Sequence, residues 1–114
     1  MLKLSLQLVA FILLSATTIN AQTNLNLLGS LDYANSRGDV SDVWGYADGN
    51  GNEYAIVGNE SGTSIVDVTD PTNPSEVFYS AGANTIWRDM KVWGSTAYIT
   101  NEGGNGLKII DMSS

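Results

Sequence analysis

Residues 54–71, YAIVGNESGTSIVDVTDP, decide how the chain is read, because a second version of them stands at residues 97–114, AYITNEGGNGLKIIDMSS. At an offset of 44, Tyr54 falls on Tyr98, Gly62 on Gly106, Ile65 on Ile109, Val66 on Ile110, Asp67 on Asp111 and Thr69 on Ser113. In the first copy the text divides into an apolar strand (54–57), a Gly/Asn turn (58–62) and a second strand (63–68) halted by an Asp-containing turn. A strand-built repeat with a period in the forties points to propeller blades, whose sheets bury their faces only against neighbouring blades.

Working outward, residues 40–46, VSDVWGY, read as the innermost strand of blade one, and residues 47–53, ADGNGNE, as a hairpin loop. The same hairpin recurs within WRDMKVWGSTAYIT, residues 87–100, where Asp42 falls on Asp89 at an offset of 47. The first loop is therefore longer, a variation that surface turns tolerate. DVTDPTNP (67–74) supplies two turns, EVFYS (76–80) a fourth, outer strand, and AGANTI a crossover to blade two. YAIV and SIVDV are apolar on both faces, as sheets covered on both sides require; a two-sheet sandwich would show alternation. Residues 27–33, LLGSLDY, precede the first innermost strand as EVFYS precedes the second, and read as the outer strand of a last blade that closes the ring. The fold class is all-β, four-stranded antiparallel blades of a β-propeller with an incomplete ring: closing strand 27–33, blade one 40–80, partial blade two 87–114.

The first 21 residues have the grammar of a secretory signal: Lys3, the apolar run LSLQLVAFILLSA, then TTINA. The run is shorter than the roughly 20 residues that a membrane span needs, so residues 1–21 are expected to be a cleaved leader and no transmembrane segment is expected in the mature chain. Losing Lys3 takes the net charge from −7 to −8. Nucleic acid is excluded as a partner by this acidity, since Arg37, Arg88, Lys91 and Lys108 are scattered and not clustered. The chain has no Cys and no His, which removes disulfides, the Ser/His/Asp relay and most zinc sites.

These residues resemble the LVIVD-repeat proteins of the choice-of-anchor B type. The resemblance rests on TSIVD (63–67), LKIID (107–111), SDVWG (41–45), DVTDPTNP and WRDMKVWGSTAYITNE (87–102), and covers residues 27–114. It implies a secreted or surface-held β-propeller and supplies no reaction, ligand or catalytic residue.

Four acids stand out. Asp42 and Asp89 occupy matching places in the innermost strands, where blades converge on a propeller's central channel; a ring of such carboxylates would bind a cation, with Ca²⁺ the candidate, or polarise a substrate. A bond to backbone amides is the simpler role for them. Asp67 and Asp111 recur at a strand end and read as structural turn caps. DGNGNE (48–53) begins like a calcium loop but lacks the Gly and Glu that an EF-hand needs, so it reads as a polar hairpin tip. Asn59-Glu60-Ser61 is formally a glycosylation sequon. Trp44, Trp87, Trp93, Tyr46, Tyr54, Tyr79 and Tyr98 pack between blades or, where exposed, stack on sugar rings.

The expected function is an extracytoplasmic or cell-surface binding or scaffold module whose partner is an extracellular protein or polysaccharide. The rival is a hydrolase or lyase acting on an extracellular polymer through Asp42, Asp89 or bound calcium. Two unflanked blades are also expected to expose apolar faces, and DMSS, where the first copy runs on into PTNP, reads as a break inside a turn. Export should cleave the chain between Ala21 and Gln22. Intact-mass measurement of secreted protein checks this, and a retained 1–21 segment would overturn the compartment reading.

Overall fold

The computed structural model describes residues 25–33 and 35–113; the leader read at 1–21 lies outside them. The described residues are all-β, with no helix and no closed barrel, as in an incomplete propeller. Four strands, β1 (Val40–Ala47), β2 (Glu53–Asn59), β3 (Gly62–Asp67) and β4 (Ser75–Ala81), form one antiparallel sheet in chain order. A second sheet holds β5 (Arg88–Trp93), β6 (Thr96–Asn101) and β7 (Lys108–Asp111).

Register decides which side chains share a face, because directly paired residues in an antiparallel ladder project to the same side. Trp44, Ile56, Ile65 and Phe78 form one paired row of sheet one. In sheet two Met90 pairs with Ile99, and Val92 with Ala97, which pairs in turn with Ile110. These two faces meet: Ile56, Met90, Ala97 and Ile99 are buried together, with Tyr46, Val92, Ile110 and Met112 packed around them. Ile56, Met90, Ala97 and Ile99 are all 0 % exposed, so the core lies between the sheets. Gly58 permits the approach, since a Cβ there would stand 2.6 Å from Ser41 Oγ and 2.9 Å from Met90 Cε.

The hairpins differ from the sequence reading in one respect. A turn was expected over 58–62, yet the β2–β3 ladder continues to Asn59↔Gly62, leaving Glu60 and Ser61 as the turn. In the second copy β6 stops at Asn101 and β7 begins at Lys108, and Gly104, Asn105 and Gly106 all take positive φ between them. Residues such as these are the ones for which the left-handed region is least costly.

The segment 27–33, expected as a closing strand, carries no strand ladder among the described residues. Its partner in that reading is a blade other than the two sheets of the described residues. Gly29, Ser30, Leu31 and Tyr33 instead line a recess with Val43, Ala55, Val57 and Val66, on the face of sheet one opposite the core. Tyr33 is buried, which raises its pKa; Ser64, Glu76 and Arg37 act on its hydroxyl more weakly.

Two cations lock the ends of the packing. Arg88 is 4 % exposed and, through Nε and Nη2, donates to the carbonyls of Asn59 (2.8 Å), Glu60 (3.3 Å) and Ala83. Burial lowers its pKa, yet an arginine stays charged, so the carbonyls replace the water that it loses. Arg37 binds Glu76 at 2.6 Å through Nη2 and stacks 3.6 Å over the Tyr79 ring, while Ser64 Oγ donates to the same carboxylate at 2.6 Å. The Arg37 hydrogen bond is the main reason that Glu76 titrates below the ordinary glutamate range.

Replacing Arg88 by Met should destabilise the chain by about 3 kcal/mol, because charged hydrogen bonds are lost and buried carbonyls are left bare; the urea midpoint measures it. Glu76 gives the opposite kind of test, read against pH. Its depressed pKa contributes stability that is present above the unfolded value and lost as pH falls through the folded one. Arg37→Met should therefore lower stability at neutral pH, and the gap to the unaltered chain should close as pH drops below about 4.

Candidate functional site

β1 and β5, the first strands of the two sheets, lie side by side, and this brings the matching acids together. The Asp42 carboxyl lies near enough to act on that of Asp89. Asp89 is exposed and bonded at 2.8 Å to Lys91 Nζ, which holds its carboxyl below the usual range; the contact with Asp42 lowers it further. Lys91 Nζ also stands 4.2 Å over the Trp44 ring. Two carboxylates, one of them bonded to an ammonium, offer too few free oxygens for the six to eight that calcium takes. No group of three or more acidic metal ligands occurs among the described residues. The calcium expectation thus needs carboxylates from further blades.

The other acids sit where their backbones turn. Asp67 Oδ1 accepts the N–H of Thr69 at 2.9 Å, and Asp111 Oδ1 accepts that of Ser113 at 2.9 Å, the same arrangement one repeat on. The Thr69 hydroxyl and N–H lower the Asp67 carboxyl, and the Ser113 N–H and hydroxyl lower that of Asp111. Asp48 Oδ1 accepts from the N–H groups of Asn50 and Asn52, and Oδ2 from the Asn52 amide at 2.7 Å. Its lone pairs face the loop's own donors, as in a hairpin tip held by its first residue. The Asn59 amide of the formal sequon is 0 % exposed and donates to Ser64 Oγ at 2.9 Å, where no glycan can reach it.

The aromatic residues divide. Tyr46 and Tyr54 stack with centroids 6.1 Å apart at the margin of the core, and Tyr79 Oη donates to the Ser61 carbonyl at 2.8 Å. Trp87 and Trp93 are exposed, at 65 % and 82 %.

Trp87 matters most, for it forms one side of an open recess of about 230 Å³ with Arg88, Asp89, Thr100, Asn101 and Glu102. The backbone fixes the tryptophan: its N–H donates to Thr85 Oγ1 at 3.1 Å and its carbonyl accepts from Glu102 N at 3.2 Å. The recess combines an accessible indole with two carboxylates, a hydroxyl and an amide, the donor and acceptor set that a polyhydroxylated ring meets. Sequence reasoning singled out Asp89 and Trp87 separately but missed Thr100, Asn101 and Glu102 as their neighbours. The signal was present in strand pairing, because Asp89 opposes Thr100 and Arg88 opposes Asn101.

No curated protein and no solved structure matches this chain. A family description does match, the LVIVD repeat, over residues 37–80 and again over residues 87–114. The first span holds the four-stranded sheet and the second the three-stranded sheet, so each match is one structural repeat. With more than half of its length matched in two consecutive copies, the chain belongs to the LVIVD repeat family.

Proposed function

We propose that this LVIVD-repeat chain is of the choice-of-anchor B type, exported by its leader, and that it acts at the cell surface as a binding module for neutral polysaccharide. The observation that carries the reading is the Trp87 recess, an exposed indole on a hydrogen-bonded backbone beside Asp89, Thr100, Asn101 and Glu102. A net charge of −7, or −8 once Lys3 leaves with the leader, sets the chain against polyanionic polymers, which leaves uncharged sugars as the matching class. The leader-like residues 1–21 support an extracytoplasmic site of action.

The rival reading, a hydrolase using Asp42 and Asp89, asks for two carboxyls held apart. Retaining glycosidases keep theirs about 5 Å apart and inverting ones further still. Here Asp89 is bonded at 2.8 Å to Lys91 Nζ and titrates below the usual range, the opposite of the raised pKa that a general acid needs.

Titration with neutral oligosaccharides, followed by tryptophan fluorescence and calorimetry, tests the proposal. Trp87→Ala should weaken binding about tenfold, the effect of losing one aromatic stack of roughly 1.5 kcal/mol. Trp93→Ala, outside the recess, should leave affinity unchanged. Equal losses from both variants, or no binding by the unaltered chain, would overturn the assignment.

A further inference from the structure

Arg88 and Lys108 both reach from sheet two into the junction with sheet one, and each spends its donors there on neutral oxygens. Lys108 Nζ donates to the Ser80 carbonyl at 3.0 Å, to Ser80 Oγ at 2.9 Å and to the Ala81 carbonyl at 2.7 Å. Arg88 uses Nε and Nη2 on the carbonyls of Asn59, Glu60 and Ala83, and its Nη1 lies over Gly82, 3.1 Å from where a Cβ would stand. Burial holds the Lys108 ammonium below the usual lysine range, and the charge of Arg88 lowers it further. Among the described residues no carboxylate acts on either group to raise it. Two like charges drawn out of water without a counter-charge repel one another and lose hydration as well. The repeat does not demand them, because Ser41 stands at the place of Arg88 at the offset of 47 and Ser64 at that of Lys108 at the offset of 44.

A second observation lies between the two cations. Gly58, Thr63 and Ser80 form one paired row across sheet one. It is the next row on the face that carries Ile56, Ile65 and Phe78, the face that meets sheet two. Arg88 stands over the Gly58 end of the row, its Cβ 3.1 Å from where a Gly58 Cβ would lie, and Lys108 is bonded to the Ser80 end. Thr63, in the middle, is 0 % exposed, and its Oγ1 has no hydrogen-bond partner among the described residues. A hydroxyl is rarely buried this way, because it forfeits its bond to water and gains none in return. Its proton is available to an acceptor, and the positive groups on either side select an acceptor that is negatively charged.

We infer that the junction between blades one and two binds a small inorganic anion of the chloride class, held on the Thr63 hydroxyl between the Arg88 guanidinium and the Lys108 ammonium. The Thr63 O–H and the Nη1 N–H groups of Arg88 donate to the ion. Lys108, whose three donors are taken by Ser80 and Ala81, contributes charge alone. The complete burial of Thr63 restricts the ligand to an ion of about atomic size and keeps polymeric or organic anions out. The bound ion touches side chains of both sheets, so the packing of blade on blade depends on which salt is present.

Chlorine NMR of sodium chloride solutions tests the site, because exchange with a bound state broadens the chloride line. Full-length chain should broaden it, and bromide should compete the broadening away. Thr63→Val, which keeps the shape of the side chain and removes the hydroxyl, should weaken chloride affinity about tenfold, the effect of losing one hydrogen bond to a charged group. Lys108→Met should abolish the broadening, whereas Lys91→Met, which removes an exposed cation already bonded to Asp89, should leave it unchanged. Urea midpoints give an independent reading. The unaltered chain should be more stable in chloride than in gluconate at equal ionic strength, since gluconate is too large for the junction, and Thr63→Val should lose that difference. Equal broadening by the unaltered chain and Thr63→Val, a broadening removed by Lys91→Met, or equal midpoints of the unaltered chain in the two salts would overturn the inference.

Discussion

The contact of Ile56 with Met90, Ala97 and Ile99 is the interaction on which the rest of this structure depends. Neither sheet has a core of its own. A single antiparallel sheet with apolar residues on both faces leaves those faces in water until another sheet covers them, at about 25 cal/mol for each Å² removed. Sheet one therefore folds as a blade only because sheet two lies on it, and Gly58 brings them within packing distance by offering no Cβ to the Met90 methyl. The repeat in the sequence is the record of that dependence, since an element that must be covered by a copy of itself is most simply encoded twice.

Apolar contact alone does not fix the angle between blades, and here the buried arginine does what methyl groups cannot. Arg88 opens β5 yet spends its guanidinium on carbonyls of Asn59, Glu60 and Ala83, at the end of β2, in the turn after it and in the crossover. Its directional donors tie the start of one innermost strand to the end of a strand in the preceding blade. A group so buried and so charged is costly to strand, so the arrangement holds together or fails together. On the opposite face Arg37 plays a comparable part, bracing Glu76 and Tyr79 of β4 from the loop ahead of β1.

Much of this architecture was legible from residues 54–71 and their second copy. Strand order, the antiparallel hairpins and the closeness of Asp42 to Asp89 follow from period, composition and the 47-residue offset. Other features depend on contacts that no local pattern announces. Arg88 looked like one scattered base among four, because its carbonyl partners are backbone atoms and leave no trace in residue identity. Asn59 looked like a glycan acceptor, because a sequon says nothing of burial. The β2–β3 turn looked five residues wide, because Gly58 and Asn59 have turn composition; tertiary packing around Met90 and Ser64 keeps both in the ladder instead. The recess at Trp87 was hidden for a related reason, since its members come from two strands and become neighbours only through register.

The two copies also show how one repeat frame puts the same pair of residues in two different settings. An Asn-Glu pair ends the second strand of each blade, Asn59-Glu60 at β2 and Asn101-Glu102 at β6. In blade one the hairpin closes tightly behind it. The Glu60 N–H then donates to the Asp39 carbonyl and the Glu60 carbonyl accepts from Thr85 N, so the pair is absorbed into the junction between blades. In blade two the loop over 102–107 is longer, and its left-handed Gly104, Asn105 and Gly106 carry the chain away from the ladder. Glu102 is left exposed at the rim beside Trp87, with Asn101 turned to the Gly106 carbonyl at 3.3 Å. The shared period holds the strands in place, and the length of one turn decides whether the glutamate is drawn into the junction between blades or left exposed at the rim.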